Sequence, residues 1–169
     1  MQGDTPVQAF DETLREGVVE EGVIGGEMMI DIEKELEFLD PLDQVLLLCI
    51  CSKPATQRDI QLKAVILSSI LGVLLDIMPY TYPYSETITE KLSDERNSIF
   101  FVKKGRVYVL TANGKIAQEI LMKKFDREVS GFSGFVNALH RMKKKELLAL
   151  VRHLFPELFT AKNVEEGVA

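Results

Sequence analysis

The apolar positions of this chain fall into blocks with different periods. Up to residue 28 no period is sustained, and Gly3, Gly17, Gly22, Gly25 and Gly26 interrupt the stretch, so it reads as an extended or poorly ordered appendage. Residues 29–39 place Ile32, Leu36 and Leu39 on one face, which predicts a short helix. Asp40-Pro41 is a helix start, with Asp as N-cap and Pro at the first helical position. Residues 42–51 are apolar almost all round, as in a buried helix, and Lys53-Pro54 ends it. Thr56, with Asp59 three residues on, caps a second helix that the apolar spacing extends through Ile60, Leu62, Val65, Ile66, Ile70, Leu74 and Leu75 to Pro79. The aromatic, Pro-broken connection at residues 80–84 precedes Ser85. This serine caps a third helix, with Ile88 and Leu92 inward and Glu86, Thr89, Glu90 and Lys91 more exposed.

The period then changes. Residues 98–102 and 106–110 are β-branched and aromatic, and Lys103-Lys104-Gly105 between them makes a turn, so the segment is a hairpin. Thr111 caps a further helix to about Phe125, with Ile116, Ala117, Ile120 and Leu121 inward. A final helical region, residues 132–155, is split near residues 143–145 and stopped by Pro156. The fold class is therefore mainly α with a small β-hairpin, followed by C-terminal helices.

Charge adds an asymmetry to this picture. Residues 1–40 hold twelve acidic residues against Arg15 and Lys34, whereas residues 91–145 hold thirteen Lys and Arg against five Asp and Glu. An acidic arm is thus joined to a mildly basic body; it is expected either to serve as a solubilising tail or a helix packed on the body, or to fold back onto the body and compete with a phosphate backbone for its cations. Residues 1–21 are acidic and lack an apolar core, so no secretory leader is expected. The most apolar stretch, residues 64–78, contains Ser68, Ser69, Gly72 and Asp76 and is too short for a membrane span. Cys49 and Cys51 diverge by about 200° on a helix and so share neither a metal nor a disulfide. They read as buried thiols of a cytoplasmic protein.

Two stretches carry a resemblance. Tyr108-Val109-Leu110-Thr111-Ala112-Asn113-Gly114 resembles the wing-to-helix junction of winged-helix regulators, with its Tyr-x-Leu-Thr-x-x-Gly pattern. Residues 59–71 followed by 80–92, with a Pro-Tyr-Ser turn at 83–85, resemble a group of uncharacterised prokaryotic (archaeal-like) winged-helix proteins. Residues 146–158 are similar to that group's closing helix. Tyr82 departs from the group's usual Gly, Phe155 from its Tyr, and the acidic arm from the pattern altogether. The resemblance implies a winged helix-turn-helix domain over residues 40–127, between an N-terminal arm (1–39) and a C-terminal helical extension (128–160) with a flexible tail (161–169).

No phosphate loop, dinucleotide fingerprint or nucleophile elbow occurs. His140 and His153 have no Cys, Asp or Glu at metal-ligand spacing and read as solvated helix residues. The expectation is a non-enzymatic binding protein without metal or cofactor. DNA and a partner protein are the two candidate ligands, the latter for a module that has lost DNA binding. Candidate nucleic-acid contacts are Thr89, Lys91 and Arg96 on and after the third helix, and Lys103, Lys104 and Arg106 at the wing tip, with Lys143, Lys144 and Lys145 as a second basic cluster. Glu86 and Glu90 on the presumed recognition helix oppose phosphate. Phe132, Phe135, Leu139, Leu147, Leu150, Val151 and Leu154 exceed what a short helix pair hides, which predicts a homodimer through the C-terminal helices.

Overall fold

The computed structural model describes residues 30–79 and 81–159. The acidic arm through residue 29 and the tail from residue 160 lie outside the described residues, and with them the expected fold-back of the arm. The described residues divide between residues 35 and 36. Helix α1 (Ile32–Glu37) runs across that division in sequence, and its Leu36 is buried.

Helix α2 (Pro41–Cys49) starts as expected: the Asp40 carboxylate accepts the Asp43 N–H at 3.0 Å. Val45 to Ile50 are all buried, so this helix forms the centre of the core. A two-residue strand β1 (Ala55–Thr56) follows, and the Thr56–Asp59 capping box opens α3 (Gln57–Leu71). The helix ends eight residues before Pro79. Gly72 takes a left-handed φ of 71° and Val73 N–H donates to Ser68 O at 2.9 Å, the closure that ends many helices. Leu74, expected inward, is 94% exposed, because a C-capping glycine outweighs continued apolar spacing. The chain instead forms a two-stranded ribbon, β2 (Ile77–Met78) antiparallel to β3 (Tyr84–Ser85).

Ser85 caps α4 (Glu86–Leu92), which buries Ile88 and Leu92. After a 3-10 turn, Glu95–Ile99, the hairpin appears: β4 (Phe101–Lys104) and β5 (Val107–Leu110), joined through Gly105 at φ 65°. β1 adds to β5, with Ala55 opposite Tyr108 and Thr56 opposite Val107, so the three-stranded antiparallel sheet has the order β1-β5-β4.

Thr111 caps α5 (Ala112–Asp126), accepting from Gly114 N–H at 3.0 Å. Gly114, Ala117, Leu121 and Phe125 form the buried stripe, at i, i+3, i+7 and i+11. Ile116 lies one residue off this stripe and is 48% exposed, contrary to the inward position expected, and Ile120 is only half-buried. α6 (Phe132–Arg141) and α7 (Lys144–Leu154) complete the body, α6 against α5 and α7 against α3. Phe132, Leu139, Leu147 and Val151 are buried within the chain. The apolar surplus expected of these helices thus shrinks to Phe135, Leu150 and Leu154, because α3 and α5 cover the rest.

The hairpin-to-α5 junction is sterically closed. A Cβ on Gly114 would lie 1.8 Å from the Phe100 carbonyl oxygen, which also accepts Thr111 N–H at 2.9 Å. Gly114→Ala should therefore cost about 2 to 4 kcal/mol, or prevent folding, as an overpacked backbone contact does. Gly134→Ala, in α6 where nothing lies within 4 Å, should instead be neutral to stabilising by about 0.5 to 1 kcal/mol. Thermal denaturation of both variants checks this; equal midpoints for the two would contradict the close approach at Gly114.

Candidate functional site

The expected contact residues separate into two groups by their surroundings. On α4, Thr89 is half-buried and tied to its neighbours: its hydroxyl accepts from Gln57 Nε2 at 2.8 Å and donates to the Tyr84 hydroxyl at 2.8 Å. Lys91 turns back to the start of α2, where Nζ lies 2.6 Å from Asp40 Oδ2 and 3.2 Å from Asp43 Oδ2. Buried Asn97 closes this cluster, donating to Asp43 Oδ1 and to Lys91 O. Partial burial opposes charge on both Asp40 and Lys91. Their mutual hydrogen bond and attraction outweigh it, so Asp40 is held below the usual carboxylate range and Lys91 above the usual lysine value. Arg96 is exposed, but its guanidinium grips Asp94, with Nη2 at 2.7 Å from Oδ2. Thr89, Lys91 and Arg96 are thus occupied within the protein, while Glu86 and Glu90 are exposed. Neither pairing is visible from α4 itself. Asp40 is fifty-one residues from Lys91, and the Asp94 cap is set by backbone geometry.

The hairpin tip is different. Lys103, Lys104 and Arg106 are exposed around Gly105, and none meets a carboxylate among the described residues. Lys103 Nζ sits 6.0 Å from the ring centroid of Tyr108, one strand across, which orients its stem without neutralising it. Phe101 and Tyr108 stack edge to face beneath the tip and anchor both strands to the core. At the ribbon between α3 and α4, Arg58 lies over Tyr82, 5.1 Å from the ring centroid, which gives this departure from the resemblance a packing role.

The second basic cluster is exposed at the start of α7, with the Lys143 N–H donating to Glu146 Oε1 at 2.8 Å. Lys143 and Lys144 stand at the side of a cavity of about 380 Å³, which Lys145 does not line. Lys53, Lys63, His140 and Arg141 share that cavity. His140 is not the solvated residue its sequence context implies. It is half-buried, and its Nδ1 lies 3.0 Å from Nζ of Lys63, itself only 6% exposed. An ammonium only donates, so Nδ1 accepts. Burial, and then the Lys63 charge, push the imidazole down to about 4, with the Leu48 carbonyl opposing only in part. Sequence reading misses this pair because its members are seventy-seven residues apart. The one local signal is a lysine at position 63 inside the apolar run Leu62-Lys63-Ala64-Val65.

The thiols also differ from one another. Cys49 is fully buried and its thiol is pushed up to about 12, whereas Cys51 is half-buried, borders the cavity and donates to Lys53 O. Among the described residues, no group of three or more His, Cys, Asp or Glu is placed to hold a metal ion. No helix among them is long and apolar enough to cross a membrane. Comparison with protein-family models, with curated proteins and with solved structures gives no match to this chain.

The His140 environment has a pH consequence with a definite sign. The imidazole takes a proton near pH 6.5 in the unfolded chain and near 4 in the folded one. Between those values the unfolded state binds more protons, so stability falls as pH drops from about 6.5 to about 4. The loss should be on the order of 1 to 3 kcal/mol. His140→Gln should flatten urea-derived stability across that window, while the acid loss from the paired carboxylates, which sets in below their ordinary range, remains. An undiminished slope in the variant would contradict the burial of this histidine.

Proposed function

We propose that residues 41–110 form a winged helix, and that the protein is a DNA-binding, regulator-type protein that holds its ligand by the wing rather than by α4. The fold reading rests on the order helix, strand, helix, short ribbon, helix, hairpin, and on a sheet in which the short strand β1 pairs with the second hairpin strand β5. In that arrangement α4 occupies the recognition position. The functional reading is carried by one observation: Lys103, Lys104 and Arg106 are exposed at the wing and meet no carboxylate among the described residues, whereas Lys91 and Arg96 are paired.

A wing of this kind contacts phosphate, which positions a protein on the duplex without reading sequence. The seven-residue α4, with exposed Glu86 and Glu90, repels the backbone it would need to pass. Binding is therefore salt-sensitive and weakly sequence-dependent. The same acidic α4 face favours a second reading, a protein-interaction module that pairs α4 with a basic partner and does not use DNA.

Fluorescence anisotropy with duplexes of unrelated sequence tests the first reading. Lys103→Ala with Lys104→Ala should weaken binding to all duplexes alike and flatten the dependence of log K on log salt by about one to two units. Unchanged affinity in the double variant would remove the wing from the contact. No binding by the parent chain at low salt would leave the interaction module as the better reading.

A further inference from the structure

We propose that the cavity between the start of α3 and the α6–α7 junction binds a small organic phosphate, a phosphomonoester of metabolite size. This is independent of the wing's role. Lys53, Lys63, Arg141, Lys143 and Lys144 line the cavity from three separate stretches of chain, against the single carboxylate of Asp59. That carboxylate is already committed, since Asp59 Oδ2 accepts Thr56 N–H in the cap of α3. Five cations against one carboxylate leave the field in this concave site positive, and its low-dielectric walls focus it.

Lys63 makes this more than a cluster of surface lysines. It is 6% exposed, its ammonium donates to a neutral imidazole, and among the described residues it meets no carboxylate. A phosphate oxygen reaching this ammonium gains a charge-assisted hydrogen bond of the stronger kind. His140 in its neutral form holds Lys63 in position without cancelling its charge.

The size and the remaining walls argue for an organic ligand over a bare ion. About 380 Å³ is within the range of small-molecule sites and far exceeds one phosphate. Pro54, Ala55, Met142 and Leu147 supply apolar surface beside the cations, suited to a carbon skeleton attached to the phosphate. Lysines and an arginine together match a dianionic phosphate better than a single carboxylate, for which one bidentate arginine would suffice.

Thermal shift of the full chain at constant ionic strength, with inorganic phosphate, glucose 6-phosphate, AMP and glucose as probes, tests the proposal. At about 10 mM, a phosphomonoester should raise the midpoint by about 3 °C, inorganic phosphate by less, and glucose not at all. Lys63→Met keeps an unbranched side chain of similar length and should abolish the shift. Lys53→Ala with Arg141→Ala, at exposed positions that folding does not need, should reduce it at least severalfold. Lys103→Ala with Lys104→Ala should leave it intact, which separates this site from the wing. The proposal is overturned if no phosphate probe shifts the parent protein, or if the shift survives both sets of cavity substitutions. A shift equal for inorganic phosphate and the esters would overturn the assignment of an organic ligand.

Discussion

The position of α4 depends on a single buried amide. Gln61, fully buried in α3, donates from Nε2 to Ser85 O at 3.0 Å and accepts Ser85 N–H on Oε1 at 2.9 Å. Both backbone groups of Ser85 are thereby satisfied by one side chain. A buried polar contact of this kind is worth little net when made and costs on the order of 1 to 3 kcal/mol per group when half-made. It therefore specifies rather than merely stabilises. Ser85 is also the cap of α4 and the partner of Ile77 in the β2–β3 ribbon. Helix start, ribbon register and the approach of α4 to α3 are consequently fixed at one residue.

From that anchor the electrostatic layout follows. With Ser85 held, α4 directs Ile88 and Leu92 inward and brings Lys91 onto Asp40 and Asp43 at the head of α2. The helix that would read a groove has used its lysine to lock the bundle, and its outward face is left to Glu86 and Glu90. The hairpin is set by a separate constraint, the close approach of Gly114 to the Phe100 backbone, and its cations meet no carboxylate among the described residues. Paired charge and exposed charge without a carboxylate partner among the described residues thus lie on different elements.

Much of this architecture is legible in the sequence because it is local. Asp40-Pro41, Thr56 with Asp59, Ser85 and Thr111 each cap the helix they were expected to cap; the hairpin turn, expected at Lys103-Lys104-Gly105, falls at Gly105-Arg106, because Lys103 and Lys104 pair with Tyr108 and Val107 as the end of β4. The end of α3 was misplaced because Leu74 and Leu75 continue the apolar spacing beyond Gly72, and spacing alone does not register a left-handed cap. β1 is too short for alternation to show, so the third strand appears only through its pairing with β5. The site was less legible. Exposure of Lys103, Lys104 and Arg106 follows from a turn, but the pairing of Lys91 and the burial of Lys63 against His140 are long-range, and no local pattern contains them.

The central claim is that the wing, and not α4, meets the ligand. Amide chemical-shift mapping of the isotopically labelled full chain during titration with a mixed-sequence DNA duplex at low salt tests it most directly. The account predicts the largest shifts at residues 102–107, with residues 86–92 nearly unmoved. Shifts centred on residues 86–92, or none anywhere up to millimolar duplex, would contradict it.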